Sequence, residues 1–304
     1  MNDPHVVLHL GAHKTATTHL QHSIHAARRQ LDGAGVRFFG PPALRQPGTR
    51  IEARFDLPFN PRKSVADHRP AREVLAEMMD GGTRLVLSEE NFIGSLFDRR
   101  YPGPFHSLPV PLYPDAALRL AALAARVAPD RGLDLCLGIR DPAGFLNSAY
   151  GLVLQAGSGV DMDGFKRRNA LFDIDWVHLV RRLRQAEGVG RVTVWRHEDY
   201  RPMFDQVVAA LVGEGVGPIR PVARVVNPGL STKAVAVALE CRAAGASGPV
   251  VQQARDSFPV GPDNPPHDGF DAEEHALSAE FYAAQVAELA QMDGVTLLRP
   301  DGPA

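Results

Sequence analysis

The sequence predicts an α/β fold, a three-layer arrangement in which a central parallel sheet of about five strands is flanked by helices. Three observations lead there. Five short runs are rich in β-formers, several of them apolar at consecutive positions, as in strands covered on both faces. The segments between them carry apolar residues at steps of three and four, the stripe of an amphipathic helix. Strand then alternates with helix as far as Val212, the order that builds a parallel sheet through crossover helices.

The first strand is residues 6–10, and the turn "GAHKTATT" leads from it into a helix over 17–31, striped by Leu20, Ile24, Ala27 and Leu31. Residues 36–39 form the second strand. A helix over 71–79 delivers the third, 84–88, and one over 115–128 precedes the fourth, 133–139. Helices over 143–155 and 176–185 follow, then the fifth strand, 191–195, and a helix over 203–212. Between 40 and 70, and again between 101 and 114, the composition turns to Pro, Arg and Gly. Both stretches read as long loops over the carboxyl edge of the sheet, where folds of this class bind ligands. From about Val222 the sheet pattern stops. Helices over 232–244 and 272–292 flank a loop, 257–269, dense in Pro, Gly and Asp. With no internal repeat and no second core, residues 1–304 read as one domain, with 222–304 a helical cap on it.

Composition narrows the function classes. A hydrophobic content of 44% over 304 residues supports a sizeable core, and a formal net charge of -2 gives no global attraction to nucleic acid or an anionic membrane. No segment approaches the roughly 18 apolar residues of a membrane span, and no basic-then-apolar leader is visible, so the expectation is a soluble, cytoplasmic protein. The two cysteines, Cys136 and Cys241, lie far apart in apolar or helical surroundings and read as buried thiols of a reducing compartment.

Three motifs carry chemistry. In the opening turn, successive N–H groups at a helix N-terminus make an anion cradle. Lys14 adds a mobile charge, and Thr15, Thr17 and Thr18 add hydroxyl donors, so the turn reads as a phosphate site. It does not fit the nucleoside-triphosphate loop, which places four residues between two glycines before Lys-Ser/Thr. Here Gly11 precedes Lys14 by three residues, and His13 stands at the second glycine's place. The second motif, "GIRDPAGFLNSAY", follows the fourth strand. Asp141 as N-cap with Pro142 at the first helical position is a strong helix start, Arg140 offers a forked pair of donors, and Ser148 lies about two turns on. In the third, "LVLSEENF", an apolar strand ends in Ser88, a candidate cap for a helix whose first turn carries Glu89 and Glu90. Acids suit a helix start, and a carboxylate at that edge also suits a general base. Six histidines crowd the first 25 residues. His9 and His13 are four apart but separated by a strand end, without acidic or Cys partners at ligand spacing, so no metal site is read there.

The opening turn resembles the 5′-phosphosulfate loop of sulfotransferases that use 3′-phosphoadenosine 5′-phosphosulfate (PAPS). The family pattern, roughly Gly-x-x-Lys-Thr-Gly-Thr-Thr, maps onto Gly11, Lys14, Thr15, Ala16, Thr17 and Thr18, with Ala16 where the family has glycine. That alanine is tolerable at helical φ and ψ and costly at positive φ. Arg140, Asp141, Pro142, Ser148 and Tyr150 match the family's 3′-phosphate segment. "VTVWRHEDYR", residues 192–201, is similar to its late strand and turn and reads as mostly structural. The family's Arg-Lys-Gly segment is not recognisable near the C-terminus, although Lys233, in the helix opened by "NPGLS", is a candidate to reach a nucleotide.

The resemblance implies a P-loop-like fold and sulfuryl transfer from PAPS, leaving PAP, to a hydroxyl or amine of a small-molecule or carbohydrate acceptor, with no metal required. It implies cofactor-binding residues Gly11, Ala12, His13, Lys14, Thr15, Ala16, Thr17, Thr18, Arg140 and Ser148, and catalytic residues Lys14 and Glu90. Related bacterial and heparan-type enzymes place a glutamate at a comparable strand end, and Glu90 fits their Ser-x-Glu pattern better than Glu89. Two other readings stand beside it: a P-loop small-molecule kinase, and a catalytically silent nucleotide-binding protein of the same fold. The sequence carries no signal for the identity of the acceptor or for oligomeric state.

Overall fold

A computed structural model describes residues 5–97, 107–223 and 229–300. Residues 101–106 of the second proline-rich stretch, and Asn227 and Pro228 of "NPGLS", lie outside the described residues.

The chain builds a single sheet of six parallel strands: β1 (His5–His9), β2 (Val36–Phe39), β3 (Arg84–Ser88), β4 (Leu133–Ile139), β5 (Val189–Arg196) and β6 (Val295–Leu297). Their spatial order is β2-β3-β1-β4-β5-β6. The parallel sheet of about five strands flanked by helices is present, and β6 extends it beside β5 with Val192 opposite Val295. The tail is therefore not only helical. β6 has three residues and only intermediate or exposed side chains, so it offers no apolar run to recognise.

The sheet is covered on both faces. On β1, Val6 and Leu8, with Leu10 just after it, face one core and Val7 faces the other, the alternation a strand imposes. The Val7 side is closed by the helices Thr17–Ala26 and Phe204–Val212 through Leu20, Ile24, Val207 and Leu211. The opposite side is closed by Ala71–Met79, Ala116–Val127, Pro142–Gln155 and Trp176–Gln185. The long helix Ala272–Leu289 packs on the last two of these, and Val250–Ser257 packs on Pro142–Gln155. Expected and observed helices agree to within a few residues, apart from the short helices Pro41–Leu44, Ile51–Arg54 and Met162–Lys166, which were not expected, and two further places. The segment over 17–31 is broken at Ala27, where Arg28–Gly33 starts afresh with Leu31 still buried. Val250–Ser257 was not expected, because its apolar side is only Val250, Val251 and Ala254.

Both cysteines are unpaired. Cys136 is buried in β4, whereas Cys241 is only half-buried. Among the described residues, no helix is long and apolar enough to cross a membrane.

Because β1 lies between β3 and β4, with His9 opposite both Ser88 and Cys136, β1 and β3 end at one level and β4 runs on beside the turn after β1, to Ile139. Their continuations are the turn 11–18, the acids Glu89 and Glu90, and Arg140 with Asp141. All three motifs therefore meet at the carboxyl edge of the sheet.

Candidate functional site

The turn after β1 is shaped by backbone conformation. Gly11 (φ 46°), Lys14 (φ 70°) and Ala16 (φ 65°) all have positive φ. Gly11 is obligatory: a Cβ there would lie 2.5 Å from Thr17 Oγ1 and 2.8 Å from its methyl. Ala16, N-cap of the Thr17–Ala26 helix, has ψ 17° and is left-handed, so the costly alternative for this alanine is the one realised. The left-handed region costs a non-glycine residue about 1–2 kcal/mol. Such left-handed steps interleaved with ordinary ones turn successive N–H groups toward one concavity.

The hydroxyls divide. Thr15 Oγ1 donates to the Ala12 carbonyl at 2.6 Å and braces the turn from within. Thr17 Oγ1 is buried without a partner among the described residues. Thr18 is half-buried. The Lys14 ammonium makes no ion pair or hydrogen bond among the described residues. Burial chiefly, and then Arg140 and Arg255, hold its pKa below the usual lysine value against the opposing pull of Glu90. Three cations thus face one region, the arrangement an anion would relieve.

Arg140 closes the turn from the β4 side. Its guanidinium donates to the Lys14 carbonyl at 3.0 Å and lies over Gly144 in the first turn of the next helix. Burial lowers its pKa, with Glu198 and Asp141 opposing. Asp141 caps that helix through the Gly144 N–H at 3.0 Å and accepts from Ser278 Oγ at 2.9 Å, so the C-terminal helix is fastened to this strand end. Ser148 is half-buried on the same helix and has no hydrogen-bond partner among the described residues. Tyr150, matched to the same motif, is buried and donates to the Val160 carbonyl at 2.9 Å, a structural role. Beneath the turn, a Cβ on Gly138 would sit 3.0 Å from Thr15 Oγ1 and 3.1 Å from Trp195 Nε1, so glycine at this point of β4 lets both close in.

The two glutamates have different surroundings. Glu89, not Ser88, is the N-cap of a single short turn, Glu90–Ile93. Ser88 Oγ is instead bonded to His9 Nδ1 at 2.8 Å and to Gln21 Nε2 at 3.1 Å. Glu89 is 6% exposed, and its two oxygens accept a forked pair from Arg45 Nε and Nη2, each 2.8 Å. Glu90 Oε1 receives Arg45 Nη2 at 3.1 Å, while its Oε2 is buried with no partner among the described residues. Its charge acts on both His13 and Lys14.

His13 packs between these acids and Tyr113. Its Nδ1 is 2.9 Å from the Tyr113 hydroxyl and its Nε2 is 3.2 Å from Asn91 Oδ1. Burial, the largest influence, holds its pKa below the ordinary histidine value, with Glu90 opposing. His9 is stacked on Trp195 and pushed down to about 3 by burial. The two rings thus have separate partners, and among the described residues no group of three His, Cys, Asp or Glu is placed to hold a metal ion.

Sequence reasoning missed Arg45, Asn91, Tyr113 and Arg255. Arg45 falls in the first proline-rich loop, which was expected over this edge, but nothing marked that residue among its neighbours. Lys233 stands 4.4 Å from the Phe258 ring centroid, a cation–π contact.

No family model and no curated protein matches the chain. Among solved structures, it is similar to a sulfotransferase from Alicyclobacillus acidocaldarius, at 16% identity and a TM-score of 0.41, over 84% of this chain and 96% of that one. It is also similar to a gluconokinase from Sinorhizobium meliloti 1021, at 13% identity and a TM-score of 0.28, over 70% of this chain and 93% of that one. At such scores neither likeness bears on what this chain does.

Proposed function

We propose that the protein is a sulfotransferase that moves the sulfuryl group of PAPS to a hydroxyl or amine acceptor. The observation that carries this reading is the contact between Arg140 and the Lys14 carbonyl, which brings the two phosphate-type motifs and their cations together. The residues present fit a doubly phosphorylated ligand. Lys14 has no acid on its ammonium, Thr17 Oγ1 is buried and unpartnered, and Ser148 is unengaged two turns beyond Arg140.

When bound, PAPS supplies a sulfuryl group on a phosphate leaving group. Lys14 and the N–H groups of residues 11–18, except that of His13, which donates to the Tyr113 hydroxyl, would hold the 5′-side and take up charge as it develops there, commonly the largest electrostatic contribution to such a reaction. Arg140 and Ser148 would hold the 3′-phosphate. Glu90 would orient the acceptor and receive its proton on Oε2, while Arg45 fixes the other oxygen. The acceptor is a small molecule or carbohydrate.

A thermal-shift comparison of PAP, PAPS, ATP and ADP tests this reading, followed by release of PAP from PAPS against a panel of alcohols and amines. PAP should stabilise most. Greater stabilisation by Mg-ATP would favour a small-molecule kinase. Tight PAP binding without turnover on any acceptor would favour a silent nucleotide-binding protein.

A further inference from the structure

The imidazole of His13 belongs to a chain of hydrogen bonds whose polarity can be worked out donor by donor. Glu89, gripped by Arg45 through two bonds of 2.8 Å, is an anion and only accepts. It accepts Asn91 Nδ2–H at 3.0 Å, which sets the amide with its oxygen toward His13. Asn91 Oδ1, 3.2 Å from His13 Nε2, therefore requires a proton on that nitrogen. In a neutral imidazole Nδ1 is then an acceptor, and the hydroxyl 2.9 Å away on Tyr113 must donate to it. The Tyr113 oxygen is left to accept the backbone N–H of His13 at 3.2 Å, and it does. Every donor meets an acceptor.

We infer that Asn91 and Tyr113 are positioning residues for the anion-binding turn: the chain Arg45–Glu89–Asn91–His13–Tyr113 fixes His13 as the neutral Nε2–H tautomer and clamps its backbone beside Lys14. The inference rests on the proposed function for the identity of the anion, but not for the tautomer. Several features agree with it. The Tyr113 ring is 1% exposed and stacked on His13 at 5.7 Å with 16° between planes, so its hydroxyl has no water to turn toward. Burial raises the Tyr113 pKa, keeping the proton it must donate. A second proton on His13 would place two donors against one oxygen. The charged groups acting on the ring are Glu90 and Glu89, which favour that proton, and Arg45, which opposes it; desolvation outweighs them. The clamp also spans four segments, the two proline-rich stretches through Arg45 and Tyr113, the β3 end and the turn after β1, so acceptor-side carboxylates and donor-side cradle are held as one unit.

The test uses the full chain labelled with ¹⁵N-histidine, with the His13 signals assigned by their loss in His13→Asn. Wild type should show a single Nε2–H tautomer at neutral pH. Tyr113→Phe keeps the stacked ring and removes the hydroxyl. It should mix the tautomers and weaken both PAP and inorganic sulfate by about tenfold, the effect of one lost hydrogen bond. In turnover the loss should appear in KM for PAPS rather than in kcat. Asn91→Leu should also mix the tautomers. An Nδ1–H tautomer in wild type, or unchanged sulfate and PAP affinity in Tyr113→Phe, would overturn the inference. Failure of wild type to bind PAP while sulfate binding still depends on Tyr113 would instead overturn the sulfotransferase reading alone.

Discussion

The guanidinium of Arg140 donates to the carbonyl oxygen of Lys14 across 3.0 Å, linking two turns that leave neighbouring strands of the sheet. This bond fixes Arg140 against the backbone of the turn that carries Lys14, close enough for its charge to act on the Lys14 ammonium. If Arg140 reads a 3′-phosphate, Arg140→Ala should erase most of the preference for PAP over adenosine 5′-phosphosulfate, since charged hydrogen bonds contribute about 1.5–3 kcal/mol each. Calorimetric titration with both nucleotides measures it. Equal losses for the two ligands would mean that Arg140 only braces the turn.

Lys14 presents the complementary case. Its backbone is held at positive φ and its ammonium lacks an acid partner. Lys14→Ala leaves the backbone cost unchanged and removes only the charge. Turnover should fall by about two or more orders of magnitude, as for loss of a main transition-state donor, with melting temperature nearly unchanged. Near-normal turnover would sink the assignment.

Glu90 and Glu89 separate cleanly by substitution. Glu89→Gln breaks a forked pair with Arg45 and weakens the cap on Asn91 N–H. Arg45 is 41% exposed, so the cost is that of charged hydrogen bonds near water, about 1–3 kcal/mol of stability. Glu90→Gln loses one 3.1 Å contact and should change stability by less than about 1 kcal/mol. If Glu90 is the base, it should nevertheless cut turnover by about 10²- to 10⁴-fold with PAP binding intact. Denaturant titrations and rates on the two variants decide it. A dead Glu89→Gln beside an active Glu90→Gln would exchange their roles.

The parts of this site that could be read from the sequence are those set by local order. Gly11, Lys14, Glu90 and Arg140 each follow an apolar strand directly, so knowing the strands puts them on one edge. Asn91, Arg45 and Tyr113 act through partners distant in sequence, and a single sequence does not pair them. Ser88 shows the converse. Its place invited a capping role, but the parallel neighbour β1 brings His9 opposite it, and the hydroxyl bonds across the sheet instead. β6 was invisible because an edge strand of three residues is defined by its pairing with β5 rather than by its own pattern.

Ala16 offers a test of backbone strain. Its left-handed conformation costs alanine about 1–2 kcal/mol, whereas glycine adopts it freely. Glycine also loses about 0.5–1 kcal/mol more chain entropy on folding. Ala16→Gly should therefore raise stability modestly, by about 1 kcal/mol at most, and leave nucleotide binding at least as strong. A destabilised variant would show that the alanine methyl, partly buried against the Leu20 and Ile24 side of the sheet, outweighs the strain.

Part of the acid stability follows from histidines kept neutral by burial, His9 and His197 among them. His9 is pushed down to about 3 and His197 to about 4, against an ordinary value of 6.5. In the folded protein they refuse a proton that the unfolded chain accepts. Their contribution to stability is thus complete above pH 6.5 and is lost as pH falls toward those depressed values. Within that window His9 alone should lower stability by about 1.4 kcal/mol per pH unit, the slope for one proton. Denaturant unfolding across the window measures the slope, and His9→Gln should reduce it by close to one proton while costing some stability at neutral pH, because the ring stacked on Trp195 is lost. A slope unchanged by His9→Gln would mean that other groups carry the acid transition, with His197, beside Arg140 and the backbone of Thr15, the next to replace.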